Sequence, residues 1–229
     1  QNMASVASGL AAVGKIPYIA SYAMFSPGRN WEQVRTTICY NNQNVKIAGA
    51  HAGVSVGPDG ATHQAIEDIA IMRVISNMLV FAPCDVIEAQ KVTYAISKIN
   101  SPCYVRYARD KTPVFTTSET PFEIGKAQVF WLPLKDRIDA AIFACGSLVH
   151  NALLAAAQLE RVGISVSVIN IPSIKPLDEK TVIELARRAG AARRARGARA
   201  HSGVVLRSST TCGGTAARNR DGSARSRRP

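Results

Sequence analysis

The 229-residue sequence has no pair of cysteines at the C-x-x-C spacing, and its five cysteines (Cys39, Cys84, Cys103, Cys145 and Cys212) are odd in number and far apart. Structural metal modules draw on ligands a few residues apart, and disulfide-built domains use even, dense sets. Both classes are excluded. Scattered single thiols fit a reducing compartment, so the cytoplasm is the expected location. No apolar run reaches the roughly 18 to 20 residues that cross a bilayer. The first fourteen residues lack the charged start of a secretory signal and read instead as an amphipathic helix. No internal repeat is visible.

Acidic residues are also scarce, but only locally. The formal net charge is +12. Residues 190–229 hold ten arginines and one acid, Asp221, so this end carries nine of the twelve charges. Residues 1–189 are close to balanced. A basic patch belonging to a tail is no footprint of a nucleic-acid-binding domain. Nucleic acid and membrane are therefore not expected as partners.

What is present is an alternation of strand and helix patterns. Met3, Val6, Leu10 and Val13 have helical spacing, and Gly14 is placed to end that helix. "KIPYIASYA" reads as a strand, "RNWEQVRTTICYN" as a helix, and "NVKIAGAH" as a strand that delivers His51 to its C-terminal end. Thr62 is placed to cap the next helix, with Glu67 and Asp68 in its first turns. "NMLVFAP" is a buried-type strand. Asp85 with Glu88 forms a capping-box pattern for a helix through Ser97, and "CYVRYAR" is again a strand. Residues 110–125 have two prolines and little periodicity and read as a linker. A second unit follows: strand "IDAAIFACGS", helix "LVHNALLAAAQLERVG", strand "ISVSVINIPSI", and a helix capped by Asp178.

Strands apolar on both faces, separated by helices, imply an α/β fold with a mostly parallel, doubly wound sheet. Ligands in such sheets bind beyond the carboxyl ends of the strands. His51 and Arg109 stand at such ends, and the loop from Asp59 to His63 follows one directly. After residue 189 the composition turns to Arg, Ala, Gly and Ser with few large apolar residues, which predicts disorder. The domains expected are thus 1–118, a truncated 119–189, and a basic tail over 190–229.

Three stretches carry a resemblance: "QNMASVASGLAAVGKIPYIASYAMF", "AGAHAGVSVGPDGATHQAIEDIAIMR" and "SPCYVRYAR". They resemble the pyrimidine-binding domain of transketolases, most closely the C-terminal subunits of two-subunit forms. "DAAIFACGSLVHNALLAAAQLERVGISVSVINIPSIKPLDE" resembles the C-terminal domain of the same family. The resemblance implies thiamine-diphosphate-dependent transfer of a two-carbon ketol unit between sugar phosphates, a transferase reaction of carbohydrate metabolism such as the pentose phosphate pathway runs.

Carried over residue by residue, it implies that Tyr22 and Phe25 lie against the aminopyrimidine ring. It makes His51 and His63 the acid–base histidines near the reacting carbons, Asp59 a binder of a sugar hydroxyl, and Arg109 a binder of the substrate phosphate. The residue types suit these roles: aromatic faces stack on a flat heterocycle, imidazole exchanges protons near neutrality, and a guanidinium fork matches phosphate oxygens. By residue type alone, Tyr22 and Phe25 also suit a plain core, and the histidines a solvated loop. Arg106 competes with Arg109, because strand alternation can expose either. His150 reads as structural.

The family's glutamate would immediately precede Gln1, and the Gly-Asp-Gly motif that binds magnesium and diphosphate does not occur in the sequence. The expectation is half a site: Mg2+ and diphosphate held by a partner, the diphosphate-binding N-terminal subunit, with pyrimidine domains pairing as a homodimer. The basic end is expected to be a fragment's out-of-frame terminus. Two other readings remain open: an enzyme like deoxyxylulose-phosphate synthase, and a catalytically incomplete assembly module.

Overall fold

The structure, a computed structural model, describes residues 1–133 and 138–194. The chain forms two α/β units. In the first, helix α1 (Asn2–Ala12) leads to strand β1 (Tyr18–Tyr22). Helix α2 begins at Trp31–Gln33 and continues in wider turns over Val34–Cys39. Then follow β2 (Lys46–Ala50), two short turns over Val54–Asp59 and Ala61–His63, and α3 (Asp68–Arg73). Strand β3 (Leu79–Phe81), helix α4 (Val86–Ser97) and strand β4 (Cys103–Arg106) complete it.

The second unit runs β5 (Gln128–Trp131), β6 (Ile138–Ala144), α5 (Leu148–Arg161), β7 (Val166–Asn170), β8 (Ser173–Lys175), α6 (Glu179–Arg188) and β9 (Ala189–Arg194). Among the described residues no helix is long and apolar enough to cross a membrane.

The first sheet has the order β1-β2-β4-β3-β8, parallel throughout except for the last pairing. Successive side chains of a strand point to opposite faces, and the sequence puts an apolar residue at nearly every position. Val80 and Tyr104 therefore join a core with Ala4 and Ala7 of α1, Val34 and Ile38 of α2, and Met72 of α3. Their neighbours Phe81, Cys103 and Val105 face Val92 and Ile96 of α4 on the other side. The second sheet, β5-β7-β6-β9, repeats the device. Ala144, Val166 and Val168 meet α5, while Ala141 and Ile169 meet Leu185 of α6. The expected doubly wound, mostly parallel architecture is present in both units.

Two expectations need correction. "ISVSVINIPSI" is two strands, not one. Pro172 has no N–H for a central ladder, and its carbonyl instead accepts a hydrogen bond from Ala82 N at 2.9 Å. The chain crosses there from the second sheet to the first, where β8 pairs antiparallel with β3. The second change is at residue 190. Residues 189–194 pair in parallel with β6, so regular structure runs past the expected start of the tail. A ladder is made of backbone groups, which composition does not report. The remainder of the tail, residues 195–229, lies outside the described residues.

Candidate functional site

Three strands of the first sheet end at one edge, and backbone hydrogen bonds tie their ends together. Tyr22 closes β1 opposite Ala50 of β2. Ala23 N donates to Ala50 O (2.7 Å), Tyr107 N to Gly49 O (2.9 Å), and Ala52 N to Tyr107 O (3.3 Å). Small buried residues lie beneath this crossing: Ala23, Ala52 and Ala65 pack together. Their size lets the loops after β1 and β2 approach closely.

The loop after β2 folds back through glycines. Gly57 and Gly60 have φ of +68° and +75°, a region that side chains with a Cβ rarely adopt. Gly60 N donates to Gly57 O and His63 N to Gly60 O, both at 3.0 Å, while Gly53 N donates to Ala65 O (2.8 Å) and closes the loop on itself.

The result is a cluster of four rings. Tyr22 and His51 stack face to face, centroids 4.4 Å apart and 8° between planes. His63 presents an edge to Tyr22 (5.9 Å, 76°) and to Phe25 (5.3 Å, 90°). Tyr22 and Phe25 lie 6.3 Å apart at 27°. Phe25 is 41% exposed, an open aromatic face at the rim. Four residues before His63, Asp59 pairs with Arg109: Oδ2 and Nη1 are 3.7 Å apart, and Nη1 also donates to Val56 O. All six predicted site residues thus belong to one sheet edge, as a ring cluster and an adjoining ion pair that joins the loop after β2 to the segment after β4.

The two arginines take different directions. Arg106, the last residue of β4, turns inward, its Nε 3.2 Å from Asp68 Oδ2. Tyr104 donates its hydroxyl to the same oxygen at 2.6 Å. Burial still dominates the Asp68 carboxyl and pushes it above its ordinary value, against the opposing pull of Arg106 and Tyr104. Arg109 lies three residues past the strand and reaches the loop instead.

One expectation about this loop fails. Thr62 does not cap a helix: Ala61–His63 is a single tight turn, and α3 starts only at Asp68. The apolar helical spacing begins at Ile69, and Gln64, with ψ of 79°, breaks the helix before it. The Thr62 hydroxyl lies 2.8 Å from His63 Nδ1 instead. His63 therefore stands five residues outside the first turn of α3, beyond reach of its dipole.

Asn30 was not singled out by the sequence, and it holds Phe25 in place. Its backbone N donates to Phe25 O (3.3 Å) and its side-chain Nδ2 to Ser26 Oγ (3.1 Å). It is almost wholly buried, with no hydrogen bond to Oδ1 among the described residues. A polar residue between two apolar helical segments was the only available signal. His150 lies beside Phe115 (5.7 Å), away from this edge, in keeping with a structural role.

The residues fit a flat, partly polar heterocycle. An exposed aromatic face stands beside two imidazoles, with buried polar atoms at Asn30 Oδ1 and His51 Nδ1 that no described group satisfies.

Comparison with known proteins accords with this geometry. The pattern of the transketolase pyrimidine-binding domain matches residues 1–114, and that of the transketolase C-terminal domain matches residues 131–205. A putative transketolase C-terminal section of Methanocaldococcus jannaschii is 44% identical over 184 residues, 80% of this chain and 57% of that protein. The 6-deoxy-6-sulfo-D-fructose transketolase subunit SqwH of a Clostridium species is 36% identical over 190 residues, 83% of this chain and 58% of its own length. The chain thus spans somewhat more than half of each relative. Among solved structures, a split-gene transketolase described as an inactive beta4 tetramer superposes with a TM-score of 0.75 at 40% identity, covering 84% of this chain and 61% of that one. The transketolase of Campylobacter jejuni shares the fold, with a TM-score of 0.72 at 23% identity over 83% of this chain and 30% of that one.

Proposed function

Because the chain belongs to the transketolase family, we propose that it supplies the pyrimidine and sugar side of a site that transfers a two-carbon ketol unit between sugar phosphates. The observation that carries the reading is the convergence of Tyr22, Phe25, His51 and His63 on one sheet edge, next to the Asp59–Arg109 pair. A pyrimidine-binding domain implies thiamine diphosphate. When bound, that cofactor supplies the nucleophilic carbon and electron sink for breaking a bond beside a carbonyl.

The chain's own residues take the remaining tasks. Phe25 and Tyr22 offer ring faces to the aminopyrimidine and keep water from it. His63 moves a hydroxyl proton at Nε2, since Nδ1 faces the Thr62 hydroxyl. His51 faces the same sugar from the end of β2. Asp59 accepts a hydrogen bond from a sugar hydroxyl, and Arg109 holds the phosphate with its guanidinium fork. A diphosphate-binding N-terminal subunit holds the diphosphate and its Mg2+, and the assembly pairs pyrimidine domains in the cytoplasm. We assign residues 1–118 to the pyrimidine side and begin the second unit at residue 119.

The test is reconstitution. The chain, alone and mixed with a diphosphate-binding transketolase subunit, is assayed for ketol transfer from a ketose phosphate to an aldose phosphate. Activity and magnesium-dependent thiamine diphosphate binding are expected only from the pair. A pair that binds the cofactor but condenses pyruvate with glyceraldehyde phosphate would replace this reading with the synthase-like one. A pair that assembles without turnover would leave an assembly module.

A further inference from the structure

Of the ring contacts in the site, that between Tyr22 and His51 is the closest and the flattest. His51 is also the residue with least support of its own. Its φ is +57°, in the left-handed region that residues other than glycine seldom occupy. No described group hydrogen-bonds its buried Nδ1. The usual device for fixing a functional imidazole, a partner on its second nitrogen, is therefore not what orients it at that atom. The contact present instead is the stacked phenol ring. Tyr22 stands opposite Ala50 in the β1–β2 register, and Ala23 N is bonded to Ala50 O, so ring and imidazole leave adjacent strands at one level. The edge of the same ring meets His63.

We infer that Tyr22 is a positioning residue for His51: its ring fixes the plane in which the imidazole meets the donor sugar. The inference rests on the proposed function and deepens it, because it gives Tyr22 an effect on the sugar side, through His51, beyond the wall it forms for the cofactor. The aromatic ring is what matters, not the hydroxyl.

Wild type, Tyr22→Phe and Tyr22→Leu are compared. In the ligand-free chain, the His51 ring-proton resonances are expected upfield of their free-imidazole position in wild type and Tyr22→Phe, and to relax toward it in Tyr22→Leu. In the reconstituted pair, Tyr22→Leu should lower kcat/KM for the donor ketose phosphate by about 10- to 100-fold, the scale of a small misplacement of a reacting group. Tyr22→Phe should restore it, and the loss in Tyr22→Leu should persist at saturating thiamine diphosphate, beyond whatever cofactor affinity the missing ring costs.

His51 resonances that stay in place in Tyr22→Leu would overturn the inference. So would a kinetic loss accounted for wholly by weaker cofactor binding. Should Tyr22→Leu not fold, the wild-type chain suffices: nuclear Overhauser contacts between the Tyr22 ring and the His51 imidazole must be present, and their absence is equally fatal. A wild-type pair without ketol transfer would count against the proposed function while leaving the resonance result standing.

Discussion

Gly49 sits where β2 passes closest to the Tyr104 ring. A Cβ built there would lie 2.1 Å from the Tyr104 hydroxyl oxygen, inside any real contact. That hydroxyl cannot swing away freely, because it donates to Asp68 at 2.6 Å. Gly49→Ala should destabilise the protein by about 1–3 kcal/mol, the range for overpacking a filled core. An unchanged urea midpoint would show that the Tyr104–Asp68 pair can move.

The same scale separates the roles of the loop residues. In the reconstituted pair His63→Ala should cut kcat by roughly 10²- to 10⁴-fold, as loss of a general acid or base does. Arg109→Ala should mainly raise KM for phosphorylated sugars while kcat holds, because uniform binding is lost. Equal effects of the two variants on kcat would refute the division of labour. That these side chains meet at one sheet edge was legible because His51 and Arg109 stand at strand ends and the Asp59–His63 loop follows one directly; the roles assigned to them rest on the family resemblance. Asn30 was not legible: its importance lies in one contact with Phe25, and residue type does not reveal contacts.

Among the elements, the starts of α4 and α6 were legible and the start of α3 was not. Asp85 Oδ1 accepts from Glu88 N (3.0 Å), the N-cap that the D-x-x-E spacing implied, while Glu88 Oε2 reaches one residue further back and accepts from Cys84 N (2.6 Å). Asp178 Oδ1 likewise accepts from Thr181 N (3.1 Å). Caps are local chemistry, readable from four residues. The loop before α3 is organised by Gly53–Ala65 pairing and by packing against Ala23, contacts between distant segments that no local window shows.

The caps also predict a pH dependence. Burial alone would raise the Asp85 carboxyl, but hydrogen bonds from Glu88, Thr116 and Phe115 together hold it below its ordinary value of 3.8. Its ionised form therefore adds stability that is fully present above that value and is lost as pH falls through the lower, folded one. Glu88 and Asp68, raised chiefly by burial, act with the opposite sign: their contribution is lost as pH rises through their folded values. Asp85→Asn isolates the first effect. It should cost about 1–2 kcal/mol at pH 7, as lost caps do, and progressively less below about pH 4, where the aspartate of the unfolded chain takes up a proton before the native one does. Urea midpoints of both proteins across pH 2 to 7 check this; a constant difference would refute it.

For the whole molecule, the question is whether the two units are separate bodies on a linker, as the residues from 110 to 125 suggested. Three connections argue that they are one. Strand β8 leaves the second unit to pair with β3 of the first, and Lys175 Nζ donates to Ile75 O at 2.5 Å and Arg73 O at 3.1 Å. The linker is itself held, its Phe115 and Thr116 N–H groups bonded to Asp85 Oδ2 at 3.0 and 2.7 Å. Asn170, at the end of β7, donates from Nδ2 to Glu88 Oε1 at 2.7 Å inside the joint.

A buried carboxylate that loses a donor bears its full desolvation cost. Units joined in this way should unfold in a single calorimetric transition, and Asn170→Ala, which leaves Glu88 short of a partner, should destabilise that transition by about 1–3 kcal/mol. Lys175→Ala and Asn170→Ala together should split it into two. Two separate transitions in the unaltered chain would mean that β8 is a weak clasp. The placement of the second unit against the first would then be set by a partner subunit rather than by this chain.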